Sequence, residues 1–263
     1  MYYFTGTGNS LAAAKQIAAE LGETELVAIA SLADTPGIIA PAADRAGIIF
    51  PVYFAGLPAM VTSFAERLRF RKGTYVFALA TFGGAGAAPA LRQLDGILCQ
   101  NASRGLDARF RVKMPGNYIL MYESPQGDKQ KTMLAAAGTE IARIAETVRQ
   151  CQRQDLPSSI FEQLVHTLMY GWFIGRVHKK DTAFSVTSAC TGCGTCAAVC
   201  PAKNITLVDN KPVWQHRCEL CCGCIHTCPV LAIQAGRKTE NWQRYRNPAI
   251  TVAELKAGKG NAP

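Results

Sequence analysis

The first 155 residues switch repeatedly between two hydrophobic periods. Tyr2 to Thr5 reads as a short strand. Asn9 to Leu21 carries Leu11, Ala14, Ile17, Ala18 and Leu21 at helical spacing before Gly22 ends the run. Leu26 to Ile29 predicts a second strand. Gly47 to Val52 is an unbroken apolar run, the pattern of a strand buried on both faces. Pro58 to Leu68 reads as a helix with proline in its first turn, and Tyr75 to Ala80 as another buried strand. A helix from about Ala88, a strand from Ala108 to Val112 and an amphipathic helix from Lys129 to Gln152 complete the series. Such alternation predicts an α/β doubly wound five-stranded parallel sheet.

From Ile160 to Val177, Phe161, Leu164, Val165, Leu168, Met169, Trp172 and Phe173 make a helical apolar face. It reads as an amphipathic connector packed on one or both domains, or else as a membrane-surface or partner-docking helix. Glu162, His166 and Arg176 argue against a spanning segment. The uncharged runs 46–65 and 73–91 are broken by Pro51, Gly56 and Pro58 and by Gly83, Gly84, Gly86 and Pro89, so they read as strand, loop and helix rather than as membrane spans. With no leader pattern at Met1, a cytoplasmic protein without membrane insertion is expected.

Beyond Thr182 the pattern repeats. Cys190, Cys193, Cys196, Cys200, Pro201 and Ile205 recur 28 positions later as Cys218, Cys221, Cys224, Cys228, Pro229 and Ile233. Two similar units related by a pseudo-twofold axis are expected. The divisions are therefore 1–155, a connector at 156–181, a cysteine-rich unit at 182–238 and a tail at 239–263.

Of 11 cysteines, nine lie between Cys190 and Cys228. A chain of 263 residues with 49% hydrophobic composition needs no disulfide staples, so the cluster points to ligation. Each half reads C-x2-C-x2-C-x3-C-P, the run of bacterial two-cluster ferredoxins, in which the fourth cysteine ligates the other cluster. Cys190, Cys193, Cys196 and Cys228 are thus expected to hold one 4Fe–4S cluster, and Cys218, Cys221, Cys224 and Cys200 the second. Gly192, Gly194 and Gly223 would let backbone amides approach the cluster sulfurs. Zinc also binds paired C-x2-C motifs, but a zinc ribbon needs only four cysteines. Cys222 reads as a small buried residue, with a ligand swap with Cys221 as the other reading. Cys99 and Cys151 read as ordinary core or surface thiols.

Thr5, Gly6, Thr7, Gly8, Asn9 and Ser10 join the first strand to the first helix, where backbone amides and the helix dipole favour a phosphate. No lysine precedes Lys15, which excludes a P-loop, and Leu11 stands where a dinucleotide fingerprint needs its third glycine. The pattern resembles the flavodoxin phosphate loop for FMN. The flavin ring is expected at the loops after the third and fourth strands: Val52, Tyr53, Phe54, Ala55 and Gly56, and Thr81, Phe82, Gly83, Gly84 and Gly86. Tyr53, Phe54 or Phe82 could stack on the ring, and Met114 to Tyr118 could line the same crevice.

Taken together, Phe4 to Ser10, Met114 to Tyr118, the cysteine runs and the tail motifs Gly236 to Thr239 and Arg244 to Pro248 resemble the EFR1-type family of flavodoxin–ferredoxin fusions. The first strand beginning almost at Met1 and the extra thiol of Cys222 depart from that pattern. The resemblance implies a flavodoxin-like FMN domain followed by a small α+β two-cluster ferredoxin domain. It implies a cytoplasmic electron carrier of anaerobic metabolism working with a redox partner protein or low-potential donor, and it supplies no substrate. No catalytic acid/base pair is visible, since His166 and His178 lie in the connector and His216 and His226 flank the ligands. The alternative is a flavin-dependent reductase of a quinone, nitro compound or enone.

The formal charge of +9 first suggests an anionic partner, but no run of five Lys/Arg occurs, so nucleic acid is not expected. Two oxidised clusters at roughly −2 each and an FMN phosphate at roughly −2 would bring the chain to about +3.

Overall fold

A computed structural model describes residues 1–259. In the first part β1 (Tyr2–Tyr3), α1 (Asn9–Leu21), β2 (Val27–Ala28), β3 (Arg45–Pro51), α2 (Ala59–Arg67), β4 (Tyr75–Phe82), α3 (Ala87–Ala102), β5 (Ala108–Lys113) and α4 (Gly127–Arg149) alternate. The strands form one parallel sheet in the order β2-β1-β3-β4-β5, the flavodoxin-like doubly wound order. Ile48, Ile49 and Phe50 stand beside Ala78, Leu79 and Ala80, and all six are fully buried, as the unbroken apolar runs require. Leu11, Ile17, Phe77 and Ile141 fill the face under α1 and α4, while Phe50, Phe64, Leu91 and Leu94 fill the face under α2 and α3. β2 is shorter than its pattern suggests, because Ile29 to Leu32 coil into a tight helical turn that buries Ile29.

The connector is not one regular helix. It runs as α5 (Ile160–Val165), a wide π-type turn over His166–Tyr170, α6 (Gly171–Ile174) and a tight 3-10 turn over Val177–Ala183. The wide turn has a visible cause. It lets the Tyr170 hydroxyl donate to Leu57 O at 2.8 Å while His166 Nδ1 meets Ala55 O at 2.9 Å. Tyr170, Phe173 and Val177 are buried by this packing, whereas Ile160, Phe161, Leu164, Leu168, Met169 and Trp172 remain exposed.

The cysteine-rich part contains β6 (Ser185–Val186), α7 (Thr195–Val199), β7 (Ile205–Val208), β8 (Lys211–Trp214), α8 (Gly223–His226) and β9 (Ile233–Gln234), with antiparallel pairs β6·β9 and β7·β8. The 28-residue repeat is written in its backbone. Gly194 and Cys222 both precede a short helix in the left-handed conformation, at φ 70° and 58°. Gly192 and Leu220, and Lys203 and Leu231, form further left-handed pairs at the same offset. Asn204 N donates to Cys200 Sγ at 3.3 Å, as Ala232 N does to Cys228 Sγ at 3.2 Å.

The tail returns to the first domain. Ile250 and Leu255 enter the core under α1 and α4, and Lys15 bridges Glu254 at 2.5 Å in α9 (Val252–Ala257). Residues 260–263, the end of the 239–263 tail division, lie outside the described residues. Among the described residues, no helix is long and apolar enough to cross a membrane.

Candidate functional site

The loops leaving the C-terminal ends of β1, β3, β4 and β5 surround a cavity of about 380 Å³, at the switch point where such sheets bind ligands. Thr5, Gly6, Thr7, Asn9 and Ser10 line it from the first loop, Val52, Tyr53, Phe54 and Ala55 from the second, and Thr81, Phe82, Gly83, Gly84 and Gly86 from the third. The cavity thus brings together 14 of the 16 residues the sequence assigns to a flavin. Gly8 and Gly56 stand outside the lining. A Cβ on Gly8 would meet Ile250 and Asn247 of the tail, and one on Gly56 would strike the Tyr170 ring, so both glycines serve packing behind the loops.

Local geometry explains how the loops hold their shape. Tyr53 and Gly56 exchange two hydrogen bonds of 2.9 Å across Phe54 and Ala55, which stand at φ 48° and 64°. This tight turn of two left-handed non-glycine residues is strained, and its surroundings impose it. Phe54 stacks on Phe173 with centroids 4.2 Å apart and meets Tyr118 edge-on at 5.3 Å. In the first loop Gly8 N donates to Thr5 Oγ1 at 3.0 Å, and Ser10 and Thr81 share a hydroxyl hydrogen bond of 2.9 Å. The Asn9 side chain is a strut: Nδ2 donates to Pro115 O, and Oδ1 accepts from the Tyr245 hydroxyl at 2.6 Å and from Asn247 Nδ2 at 3.1 Å. The free amides of the α1 N-terminus and the hydroxyls of Thr5 and Thr7 suit a phosphate. Among the described residues Glu162 is the one charged residue in the lining, so dipoles rather than cations meet an anion there.

The crossed cysteine sets are also brought together. Cys190, Cys193, Cys196 and Cys228 line one small cavity with Gly192, Gly194 and Pro229. Cys200, Cys218 and Cys224 lie in the buried core of the cysteine-rich unit, and Cys221 packs into the adjoining core under α2 and α3, near enough to Cys200 and Cys218 to feel their charge. Burial pushes the thiols of Cys218, Cys221 and Cys224 up, and Cys200 adds to the effect at each. Thiols so placed stay protonated until a cation binds the thiolates and displaces the protons. Leu220 N, Asn204 N and Ala232 N donate to Cys218, Cys200 and Cys228 Sγ at 3.2–3.3 Å, which favours sulfur carrying negative charge. Cys193 is exposed, and the Thr195 hydroxyl holds its thiol below the usual range. The buried hydroxyl of Tyr53 has no partner among the described residues, and its burial, with the charges of Cys221, Cys222 and Glu219 near it, holds its proton on. These features fit an iron–sulfur cluster. Among the described residues, no three His, Cys, Asp or Glu side chains converge as ligands of a single ion do.

Cys222 is buried in the same core as Cys218 and Cys224. Its buried thiol meets Leu220 O at 3.5 Å, and burial pushes it up to about 12. Cys99 and Cys151 are exposed, and Arg45 Nε donates to Cys151 Sγ at 3.3 Å.

The two regions touch. A Cβ on Gly6 would overlap Cys221 O and come within 2.9 Å of Cys221 Cβ, so the phosphate-loop backbone lies directly on the second cysteine turn. Asn117 Nδ2 reaches both Thr7 Oγ1 at 2.9 Å and Cys221 O at 3.3 Å. Leu220, two residues from Cys218, lines the cavity itself. Glu219, whose carboxyl burial raises to about 7, accepts from Met60 N at the start of α2. His226 is held neutral, with burial lowering it to about 4; its Nδ1 accepts from Tyr245 N while Nε2 donates to Asn117 O.

Asn117, Tyr122, Leu220, Tyr245 and Asn247 were not singled out as site residues. Of these, Asn117 lies in the Met114 to Tyr118 run and Tyr245 and Asn247 in the Arg244 to Pro248 tail motif, whereas Tyr122 and Leu220 carry no signal in the sequence.

The fold and site define an α/β flavodoxin-like domain joined to a ferredoxin region with eight paired thiols. A model of the 4Fe–4S binding domain matches residues 185–206, so the chain carries a 4Fe–4S ferredoxin motif. Among solved structures, a Bacteroides uniformis protein described as a putative flavoprotein is 20% identical, covering 43% of this chain and 87% of that chain at a TM-score of 0.33. No curated protein matches. The fold assignment rests on the strand order.

Proposed function

We propose that the protein is an electron-transfer flavo-iron–sulfur protein, holding two 4Fe–4S clusters in the crossed cysteine sets and FMN in the sheet-end cavity. When bound, the clusters supply single electrons and the flavin exchanges one or two. The observation that carries the reading is the contact of Gly6 with Cys221, which seats a phosphate loop on a cluster-ligand turn. The chain's own residues do the rest. Thr5, Thr7 and the α1 amides hold the phosphate. Phe82 and Tyr122 line the space the ring would occupy. Asn117 and Glu219 keep the two domains in register. Joining both modules in one chain keeps each at a high effective concentration for the other.

The set with Cys218 and Cys221 adjoins the cavity, whereas the set with Cys193 opens to solvent. This arrangement supports entry of electrons from a redox partner at the exposed set and passage inward. The domain division, the EFR1-type assignment and the cytoplasmic setting belong to the same proposal. The experiment is anaerobic reduction by a reduced ferredoxin too large to enter the cavity. Flavin bleaching should be fast in the holoprotein and at least about tenfold slower in Cys218→Ala. Equal rates would refute the relay.

A second reading, reduction of a quinone, nitro compound or enone at the flavin, is favoured by the exposed apolar rim of Met121, Tyr122, Phe161 and Met169. Turnover of such acceptors by the reduced holoprotein would establish it.

A further inference from the structure

The connector carries a stripe that the electron-transfer reading does not use. Ile160, Leu164, Leu168, Trp172, Arg176 and Lys180 follow one another at four-residue steps. The four apolar members are 89%, 55%, 66% and 53% exposed, although residues of this kind normally cover one another. Arg176 and Lys180 each lie over the Trp172 ring, at 5.2 and 4.9 Å. Lys179 is also exposed at this end. The acidic groups nearby are already engaged. Glu162 caps α5 through Ser159 N and Oγ, and Asp181 is buried against His216 and Asn204.

We infer that this stripe seats the protein peripherally on an anionic bilayer surface. The patch has the components such an interface uses: exposed leucine and isoleucine for the acyl boundary, a tryptophan for the interfacial layer, and cations beside it for the lipid phosphates. The π-type turn has a part in this. By rotating Tyr170 and Phe173 inward, it leaves Leu164, Leu168 and Trp172 on the outer side. A protein partner or a second copy would more often match a mixed polar rim than a one-sided run of cations. Phe161 and Met169 belong both to the exposed set and to the cavity lining, so docking would bring the cavity mouth to the lipid surface.

The test is flotation of the anaerobically purified holoprotein with vesicles of phosphatidylglycerol and phosphatidylcholine, beside vesicles of phosphatidylcholine alone. Binding should require the anionic lipid and weaken with salt. It should fall roughly tenfold or more in Leu168→Glu, and also in Arg176→Gln with Lys180→Gln. Cofactor absorbance unchanged in these variants would show that they remain folded, whatever the fate of the electron-transfer reading. Failure of the wild-type protein to float would overturn the inference. So would a dimer that Leu168→Glu dissociates, since the stripe would then be an interface between copies.

Discussion

Two backbone positions carry much of the account. Gly6 has no room for a side chain because the Cys221 turn lies on it. Gly6→Ala should cost about 1–3 kcal/mol by overpacking and weaken flavin binding by about tenfold or more, read as the Kd of FMN. Cys222 occupies the left-handed position that Gly194 fills in the first half of the repeat. Cys222→Gly should therefore retain the iron content of the parent, because glycine suits φ 58° and the thiol is not among the eight paired ligands. Loss of half the iron would make Cys222 a ligand. The eight paired thiols were legible in the sequence because three of every four sit within seven residues and the spacing is local. The duties of Gly8, Gly56 and Asn9 were not. Gly8 answers to Asn247 and Ile250, Gly56 to Tyr170, and Asn9 to Tyr245 and Asn247, contacts across roughly 110 to 240 positions that no local pattern encodes.

At the level of elements, the tail and the connector brace the cavity from outside. Tyr245 is fully buried and donates to Asn9, so Tyr245→Phe should cost about 1 kcal/mol and loosen FMN about fivefold with iron unchanged. Titration of flavin against the apo-flavin protein checks this. His226 links the same tail to Asn117. Its folded pKa of about 4 lies below the ordinary value of 6.5, so the neutral form is the stabilising one. That stabilisation is full above pH 6.5 and is lost as pH falls toward 4. Amide exchange at Tyr245 should accelerate, beyond the intrinsic trend, between pH 6.5 and 5. The sheet elements agree with their hydrophobic periods to within a few residues, since burial on both faces writes itself into unbroken runs. The connector does not, because a 3.6-residue period cannot anticipate the extra residue that Tyr170 and Leu57 impose.

Across the whole molecule, charge changes meaning once the sites are placed. Arg244 adjoins Cys228, Lys259 adjoins Cys200, Cys221 and Cys196, and Lys211 donates to Cys190 O at 3.1 Å. Part of the +9 therefore stands beside the thiols as a counter-charge for anionic clusters. Crossed ligation, as proposed, would also make the sets separable. Cys228→Ala should remove the exposed cluster and leave the one beside the cavity, whereas Cys200→Ala should do the reverse. Each variant should keep about four irons, and only Cys200→Ala should abolish any magnetic interaction between the reduced cluster and the one-electron-reduced flavin radical. The most direct test of the central claim is a count of iron, sulfide, zinc and flavin in the anaerobically purified chain, with paramagnetic resonance of the reduced sample. About eight irons, eight sulfides and one FMN per chain are expected. Zinc in place of iron, about four irons, or no flavin would contradict the claim.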